Sequence, residues 1–398
     1  MKATQFYSKH SKILGLVLWA LFFFSIFAAQ QLASWPLVVA SGWGGGIAFA
    51  DLRSVLHAAD CSETIGWDIY SPDKWGDCTY IYGSLLIRIL RWTNLNSEFT
   101  SLIGWVFILF FSILCGFVLS TLQKLSRVQK LASVLILASP CSMLLLERGN
   151  IDIVLMFLLV TAAALLGKGR VSLGLVTIAL SSLFKFYTLP LMFLLLSRFK
   201  NRIAIFVGFL FSGLVTLLVL RDLHLIKGEF PSNVLASFGN QIPWLYLEYV
   251  GVTVPRYYGE LIGFSLCFTS GFALWILYKK NFLKVAVSSL SHPSSAFVLV
   301  LQFLFFCTFL VCFFAGVNYD YRLPYLSIPA LLLLNSFRDL NPWFLILPLL
   351  IATWASYNVG WLQIFGDCAI LLLTSGLIIF VLLLSKRMIF NVTTHNSD

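Results

Sequence analysis

The chain has 398 residues, of which 59% are hydrophobic and only 11% are charged, and its mean hydropathy is +0.90. Soluble domains carry about 25% charged residues, so this composition excludes a soluble multidomain protein and indicates a polytopic membrane protein. The formal net charge of +10 could indicate a nucleic-acid partner, but the distribution of the charges along the chain argues against one.

Apolar segments near the length of about 20 residues that a bilayer span requires recur along the whole sequence. They predict an all-α bundle of roughly 12 transmembrane helices in a single integral membrane domain, residues 1–398. The apolar run that follows the basic segment Met1–Lys12 is too long for a signal-peptide core, so it is interpreted as the first span. The predicted spans are residues 13–40, 99–122, 131–146, 151–167, 171–184, 188–197, 203–220, 260–278, 296–316, 323–336, 342–356 and 366–385.

The connections between these spans fall into two sets that differ in charge. One set contains 17 of the 27 lysine and arginine residues but only two of the 17 acidic residues. Basic residues accumulate in cytoplasmic connections, so both termini are predicted to be cytoplasmic. The positive charge therefore indicates topology, and nucleic acid is not an expected partner. The absence of a eukaryotic retention signal favours a bacterial plasma (inner) membrane.

Two long connections, residues 41–98 and 221–259, lie on the predicted outer side. Loops of this length are usually functional. In the first loop, residues 51–60 have apolar side chains at helical spacing, which predicts an interfacial helix whose apolar face lies on the membrane. Residues 80–92 predict a second interfacial helix.

The first loop contains two cysteines. Cys61 and Cys78 are the only cysteines of this loop; they could form a disulfide if that side is oxidising, or remain free.

Two of the predicted helices are unusually short. Residues 171–184 and 188–197 are too short to cross a hydrocarbon core of about 30 Å. Lys185 lies at their junction, so the break is a plausible wall of a cavity.

Ionisable residues form clusters at predicted helix ends on the outer side: Asp51-Leu52-Arg53 with His57 one turn on, Glu147-Arg148-Gly149-Asn150-Ile151-Asp152, and Asn318-Tyr319-Asp320-Tyr321-Arg322. Ionisable groups at membrane depth are costly and tend to mark function. Each cluster also has a structural interpretation. Asp51 could cap a helix, and Arg148 and Lys185 could reach lipid headgroups. Glu147 with Arg148, or Asp320 with Arg322, could form ion pairs. The position of all clusters on one side favours a site.

These motifs, in this order along the chain, resemble those of a known enzyme family. The Glu147–Asp152 segment, an apolar helix, a short basic turn and then Leu183–Pro190 resemble glycosyltransferase family 87, which comprises membrane enzymes of the GT-C fold that use polyprenyl-phosphate sugars. Asp51-Leu52-Arg53, Asp68–Pro72 and Tyr80-Ile81-Tyr82 resemble the first outer loop of that family, and Asn318–Arg322 fits a later segment. Gly83 departs from the pattern, because a proline is common there.

The resemblance implies a GT-C-like bundle and an inverting transfer of a hexose, with mannose a candidate, from a polyprenyl-phosphate sugar. The acceptor would be a glycolipid or polysaccharide at the outer face, with membrane lipids as further partners. By resemblance, Asp51 is the candidate base, and Arg148, Lys185, Arg322 and Arg256 are candidates for binding the donor phosphate. The candidate substrate-binding residues are Arg53, His57, Tyr70, Tyr82, Glu147, Asn150, Asp152, Tyr187, Asn318 and Asp320.

Two motifs that the sequence lacks restrict the class of sugar donor. The sequence has no Asp-x-Asp motif and no P-loop, so a nucleotide-sugar donor is disfavoured, and no metal or cofactor is expected. A transporter or flippase for a lipid-linked sugar is one alternative, although transporters commonly contain inverted repeats and none is visible. A polysaccharide polymerase or ligase is the other alternative.

Overall fold

A computed structural model gives the architecture of the chain. The residues that the structure describes are 2–33, 48–65, 70, 78, 80–122, 124–196, 202–225, 237–238, 242, 251–252, 255, 258, 261–265, 268–269, 272, 296–314, 318–334, 341–355 and 361–394. Arg256, most of the predicted span 260–278 and most of the second long loop lie outside these residues.

The described chain is helical apart from one pair of two-residue strands. The α-helices are α1 Lys2–Ala33, α2 Ala50–Ile65, α3 Ser84–Trp92, α4 Thr100–Thr121, α5 Arg127–Leu137, α6 Pro140–Glu147, α7 Asp152–Gly167, α8 Val171–Phe184, α9 Leu189–Leu196, α10 Arg202–Leu225, α11 Ala296–Phe314, α12 Pro324–Leu333, α13 Trp343–Ala355 and α14 Trp361–Thr394. Single 3₁₀ turns cover Ser97–Phe99, Phe186–Thr188 and Asp320–Arg322. The strands are β1 Ser237–Phe238 and β2 Asn318–Tyr319, which pair in antiparallel register.

Length and composition identify the chain as a helical membrane protein. Five segments of its described part are long and apolar enough to cross a bilayer: Ile13–Leu32, Ser97–Thr121, Arg127–Glu147, Ile203–His224 and Ala296–Phe314. Shorter apolar helices, including α7 and α8, pack among them. α7 and α8 form a hairpin, and half of the residues of each helix are buried against neighbouring elements. Protein therefore covers much of these short helices.

The span predicted at residues 131–146 lies within the apolar segment Arg127–Glu147, but this segment is not a single continuous helix. α5 ends at Leu137 and α6 begins at Pro140, so the segment contains a break at Ala138-Ser139. Proline has no N–H and clashes with the carbonyl of the preceding turn, so it is tolerated at the first position of a helix but interrupts a continuous one. Ser126 begins α5 with a capping box in which Gln129 bonds back to it.

Both helices predicted in the first loop are present, but the prediction that the apolar face of the first lies on the membrane is wrong. Leu52, Val55, Leu56 and Ala59 of α2 are all buried within the protein, where α2 packs against α3 and α4. The helical spacing is correct, whereas the surface that covers the apolar face comes from distant parts of the chain. Cys61 and Cys78 form a disulfide that ties the end of α2 to the loop before α3.

Candidate functional site

Backbone hydrogen bonds between the start of α2 and the turn after α6 bring the residues of the site together. The N–H of Phe49 donates to the carbonyl of Glu147 at 2.7 Å, and the N–H of Asp51 donates to the carbonyl of Arg148 at 2.8 Å. The start of α2 thus bonds to the turn between α6 and α7. That turn depends on Gly149, whose φ of +58° lies in the left-handed region.

Asp51 lies at the centre of this junction. Its Oδ1 accepts from Arg148 Nε at 2.7 Å, and its Oδ2 accepts from Asn150 Nδ2 at 2.6 Å. Arg148 Nη2 also contacts Oδ1, so the guanidinium and the carboxylate form a close ion pair. The Asp51 side chain keeps 15% of its surface exposed. It is therefore bonded on both oxygens and still reachable from solvent.

A chain of hydrogen bonds continues from Asn150 to two further cations. Asn150 Oδ1 accepts from Lys185 Nζ at 2.9 Å, and the same ammonium donates to Asp152 Oδ2 at 2.9 Å. Arg322 Nε donates to that Asp152 oxygen at 3.2 Å. We call Asp51, Arg148, Asn150, Asp152, Lys185 and Arg322 the charge network. It contains three cations and two carboxylates, so cations are in excess by one.

Aromatic rings pack against the cations of the charge network. Lys185 Nζ lies 5.0 Å from the centre of the Tyr82 ring and 5.8 Å from that of Tyr187. The Arg322 guanidinium lies 5.3 Å from the Tyr187 ring and 5.2 Å from the Tyr321 ring. These distances are those of cation–π contacts. Burial, with a further contribution from the Asp51 charge, raises the pKa of Tyr82 well above its ordinary value, so its hydroxyl stays protonated.

Several polar atoms beside the charge network are buried without a hydrogen-bond partner within the described part of the chain. They are Asp152 Oδ1, Glu147 Oε2 and the Tyr187 hydroxyl. Asp152 itself is fully buried, and its Oδ2 receives both cations. Buried polar atoms in this state are unfavourable in the protein alone. They mark a place where a polar ligand could supply the missing bonds.

The contacts decide between the structural interpretations that the sequence leaves open. Arg148 and Lys185 do not extend to headgroups but pair with Asp51 and Asp152, and their side chains are 23% and 8% exposed. Arg148 pairs across the fold with Asp51 rather than with its neighbour Glu147, and Arg322 pairs with Asp152. Each pair joins segments far apart in sequence, which a local cap or ion pair would not do.

Not every candidate residue reaches the charge network. Arg53 and His57 are exposed on α2, and His57 Nε2 lies 3.6 Å from Cys61 Sγ at the disulfide. The Tyr70 hydroxyl donates to the carbonyl of Tyr82 at 3.3 Å, so Tyr70 supports the loop behind Tyr82. Asp320, by contrast, is fully buried in the same 3₁₀ turn as Arg322.

Two candidate residues cannot be placed by their side chains. Arg256 lies outside the described residues. Asn318 is described through its backbone, which pairs in β2 with Phe238 of the second long loop. This pairing brings part of that loop to the segment that carries Asp320 and Arg322.

Sequence reasoning missed a second polar cluster at the end of α10. Asp222 Oδ2 accepts from the N–H of Ser84 at 2.7 Å, and Arg221 Nη2 donates to Ser84 Oγ at 2.7 Å. Adjacent Arg and Asp at the end of an apolar helix are the same signal that identified the other clusters. The two residues lie at the boundary of a long loop, and for that reason they were counted as part of the loop.

Gly83 explains the departure from the family pattern in the first loop. Its N–H donates to the carbonyl of Phe184 at 3.1 Å, and a Cβ at this position would overlap the carbonyl oxygen of Leu183. The backbone φ of −62° would suit proline. A proline would nevertheless remove the N–H and add the Cβ, so the close approach of this loop to α8 requires glycine.

No family model, no curated protein and no solved structure matches the chain. The chemistry of the charge network is therefore the guide to function.

Proposed function

We propose that the chain is an inverting glycosyltransferase of the GT-C type that transfers a hexose from a polyprenyl-phosphate sugar. The acceptor is a glycolipid or polysaccharide at the outer face of a bacterial plasma membrane. The observation that supports this most directly is the reachable Asp51 carboxylate, which bonds directly to Arg148 and is connected through Asn150 and Asp152 to Lys185 and Arg322. A proton acceptor next to a cationic site is what a transfer from a lipid phosphate requires.

Asp51 is suited to accept the proton of the acceptor. In the reaction, an acceptor hydroxyl attacks the anomeric carbon and its proton goes to Asp51. The new bond joins the acceptor oxygen to that carbon, while the bond from the carbon to the phosphate oxygen breaks with its electron pair. Attack from the face opposite the phosphate inverts the anomeric centre. Arg148 and Asn150 fix the orientation of the carboxylate for this step.

The cations of the charge network are suited to the leaving group. The donor phosphodiester carries one negative charge, whereas the departing polyprenyl phosphate carries close to two at neutral pH. Negative charge therefore grows on the phosphate during the reaction, and groups that bind it more strongly in the transition state accelerate the step. Lys185 donates two of its three ammonium N–H groups, to Asn150 and Asp152, so the third can donate to a phosphate oxygen. Arg322, on the same Asp152 oxygen, adds positive charge beside it. The leaving group then needs no proton donor.

The first experiment measures sugar transfer by purified protein reconstituted in vesicles, with polyprenyl-phosphate hexoses as donors and a bacterial glycolipid extract as acceptor. Asp51→Asn should lower the transfer rate by on the order of a hundredfold to ten-thousandfold, the range of general acid–base catalysis. Glu98→Gln is the matched control, because it makes the same change at an exposed carboxylate, and it should leave transfer unchanged.

One outcome would contradict the role of Asp51, and another would contradict the glycosyltransferase itself. Transfer that is equal in wild type and Asp51→Asn would exclude Asp51 as the base. Wild-type protein that moves lipid-linked sugars across the vesicle membrane, but transfers none with any donor and acceptor pair, would overturn the glycosyltransferase in favour of a flippase.

A further inference from the structure

The Arg221–Asp222 pair at the end of α10 is built around a buried carboxylate. Asp222 is 2% exposed, and its Oδ2 accepts from the N–H of Ser84 at 2.7 Å. Its Oδ1 accepts from Arg221 Nη2 at 2.8 Å, and the same nitrogen donates to Ser84 Oγ at 2.7 Å. A buried carboxylate is strongly unfavourable unless its partners are in place, so these contacts fix Ser84 against α10.

Ser84 is the first residue of α3, and the two residues before it face the end of α8. The N–H of Gly83 bonds to the carbonyl of Phe184, and the ring of Tyr82 lies over the ammonium of Lys185. The short segment 82–84 is thus held between two elements, with α10 on one side and the junction after α8 on the other. Lys185 occupies that junction.

Other contacts on this segment are weaker than the Asp222 contact. The hydroxyl of Tyr70 donates to the carbonyl of Tyr82 at 3.3 Å, and that of Tyr80 donates to the carbonyl of Gly83 at 3.0 Å. These bonds join neutral groups, whereas the bond from Ser84 ends on a carboxylate. Hydrogen bonds to charged groups are roughly twice as strong as neutral ones. Asp222 therefore accepts the strongest hydrogen bond made by this segment.

We propose that Arg221 and Asp222 are positioning residues that hold Tyr82 over Lys185 and so keep this cation directed into the charge network and shielded from water. Without the carboxylate, α3 loses its anchor on α10 and Tyr82 moves away from the ammonium. The kinetic consequence of the proposal rests on the proposed function. The shielding of Lys185 does not, and it can be measured without substrate.

The test is the rate at which Lys185 is acetylated by a water-soluble N-hydroxysuccinimide ester at one fixed pH, followed by mass spectrometry of the purified protein. Asp222→Ala should raise this rate by about tenfold or more, the change expected from the loss of one charge-assisted hydrogen bond. Asp222→Asn keeps an oxygen for the Ser84 N–H and should give an intermediate rate. Tyr82→Ala removes the cover itself and sets the upper limit.

Asp60→Ala is the matched control. Asp60 Oδ2 accepts from the N–H of Ser97 at 3.3 Å and from its hydroxyl at 2.8 Å, so the same kind of contact is removed away from Lys185. Acetylation of Lys185 should remain at the wild-type rate in this variant. In the transfer assay, kcat/KM should fall across the Asp222 variants in the order in which acetylation rises.

An acetylation rate of Lys185 in Asp222→Ala that equals the wild-type rate would overturn the proposal. An increase in Asp60→Ala as large as that in Asp222→Ala would also overturn it. If Asp222→Ala does not yield folded protein, Asp222→Asn decides in its place, and a rate equal to wild type would overturn the proposal. Increased acetylation in a protein with no transferase activity would keep the positioning role and reject the glycosyltransferase.

Discussion

Asn150 joins the two halves of the charge network although it has no charge. Its Nδ2 donates to Asp51 and its Oδ1 accepts from Lys185 and from the N–H of Asp152. A side-chain amide donates from its nitrogen and accepts at its oxygen at the same time, and these partners fix which end of the amide is oxygen. No single charged residue could bond to both the carboxylate and the ammonium in this way.

Asn150→Asp should therefore disable the site while changing almost no volume. The new carboxylate would face Asp51 without a proton to donate, so we expect a loss of about 1–3 kcal/mol in stability and a large loss of sugar transfer. Thermal unfolding and the transfer assay would measure both effects. Asn96→Asp is the control, since Asn96 uses only its oxygen, which accepts from the N–H of Glu98. A variant at position 150 that behaves like this control would contradict the assigned bonds.

At the level of residues, the sequence identifies every member of the charge network as a candidate but not their partners. Asp51, Arg148 and Lys185 are visible because charges are rare in this chain and stand at helix ends. That Arg148 bonds to Asp51 and not to Glu147 depends on the folding back of a chain segment, since the two partners are 97 positions apart, and no local pattern encodes such a pairing. The partner of Asp222, Ser84 at a separation of 138 positions, is equally invisible in the sequence.

Among the elements, the turn between α6 and α7 has the strictest steric requirement. Gly149 has a φ of +58°, and a Cβ there would lie 3.0 Å from the Cβ atoms of both Phe49 and Leu52. The turn needs glycine for its backbone and also for the close approach of α2. Asp51 reaches Arg148 and Asn150 only because α2 begins this near to the turn.

Gly149→Ala should consequently lower the free energy of unfolding by more than the backbone strain alone would lower it. A left-handed conformation costs an alanine about 1–2 kcal/mol, and the contacts at 3.0 Å add to it by pushing α2 away. Gly169→Ala separates the two effects, because Gly169 has a φ of +75° with nothing within 4 Å of its added Cβ. We expect a larger fall in the thermal unfolding midpoint for Gly149→Ala, with loss of transfer in that variant alone. Equal effects of the two substitutions would refute a packing role for Gly149.

Element boundaries were predictable where polar residues mark them. α7 and α8, Asp152–Gly167 and Val171–Phe184, agree with the predicted spans because charged residues flank each helix. The break before Pro140 was missed although Ser139-Pro140 is a helix-start pattern, because apolar residues on both sides join the segment into one span. The membrane-facing orientation of α2 was wrong because helical periodicity shows that a face is apolar, but does not show whether lipid or protein covers it.

For the whole molecule, the sidedness of the site is the property with the widest consequences, and it remains a prediction. The proposed topology places Glu98 on the outer side and Arg170 on the cytoplasmic side, and both side chains are exposed. Glu98→Cys should react with a membrane-impermeant maleimide in intact cells, and Arg170→Cys should react only after lysis. The background should carry Cys368→Ser, since Cys368 is an exposed free cysteine. Labelling of the position 170 variant in intact cells would reverse the topology.

The pairing of Lys185 with Asp152 also bears on how the chain enters the bilayer. The two residues lie together at the open end of the α7–α8 hairpin, with Asp152 in the first turn of α7 and Lys185 at the C-terminal cap of α8. Each charge complements the dipole of its own helix, and the two offset each other at 2.9 Å. The buried charge of Asp152 therefore has a counter-ion within the hairpin, while the other cations of the hairpin, Lys168 and Arg170, stay exposed in its turn. We expect this pair to form before Arg322 has been synthesised, so that the later helices have only to dock their arginine against it.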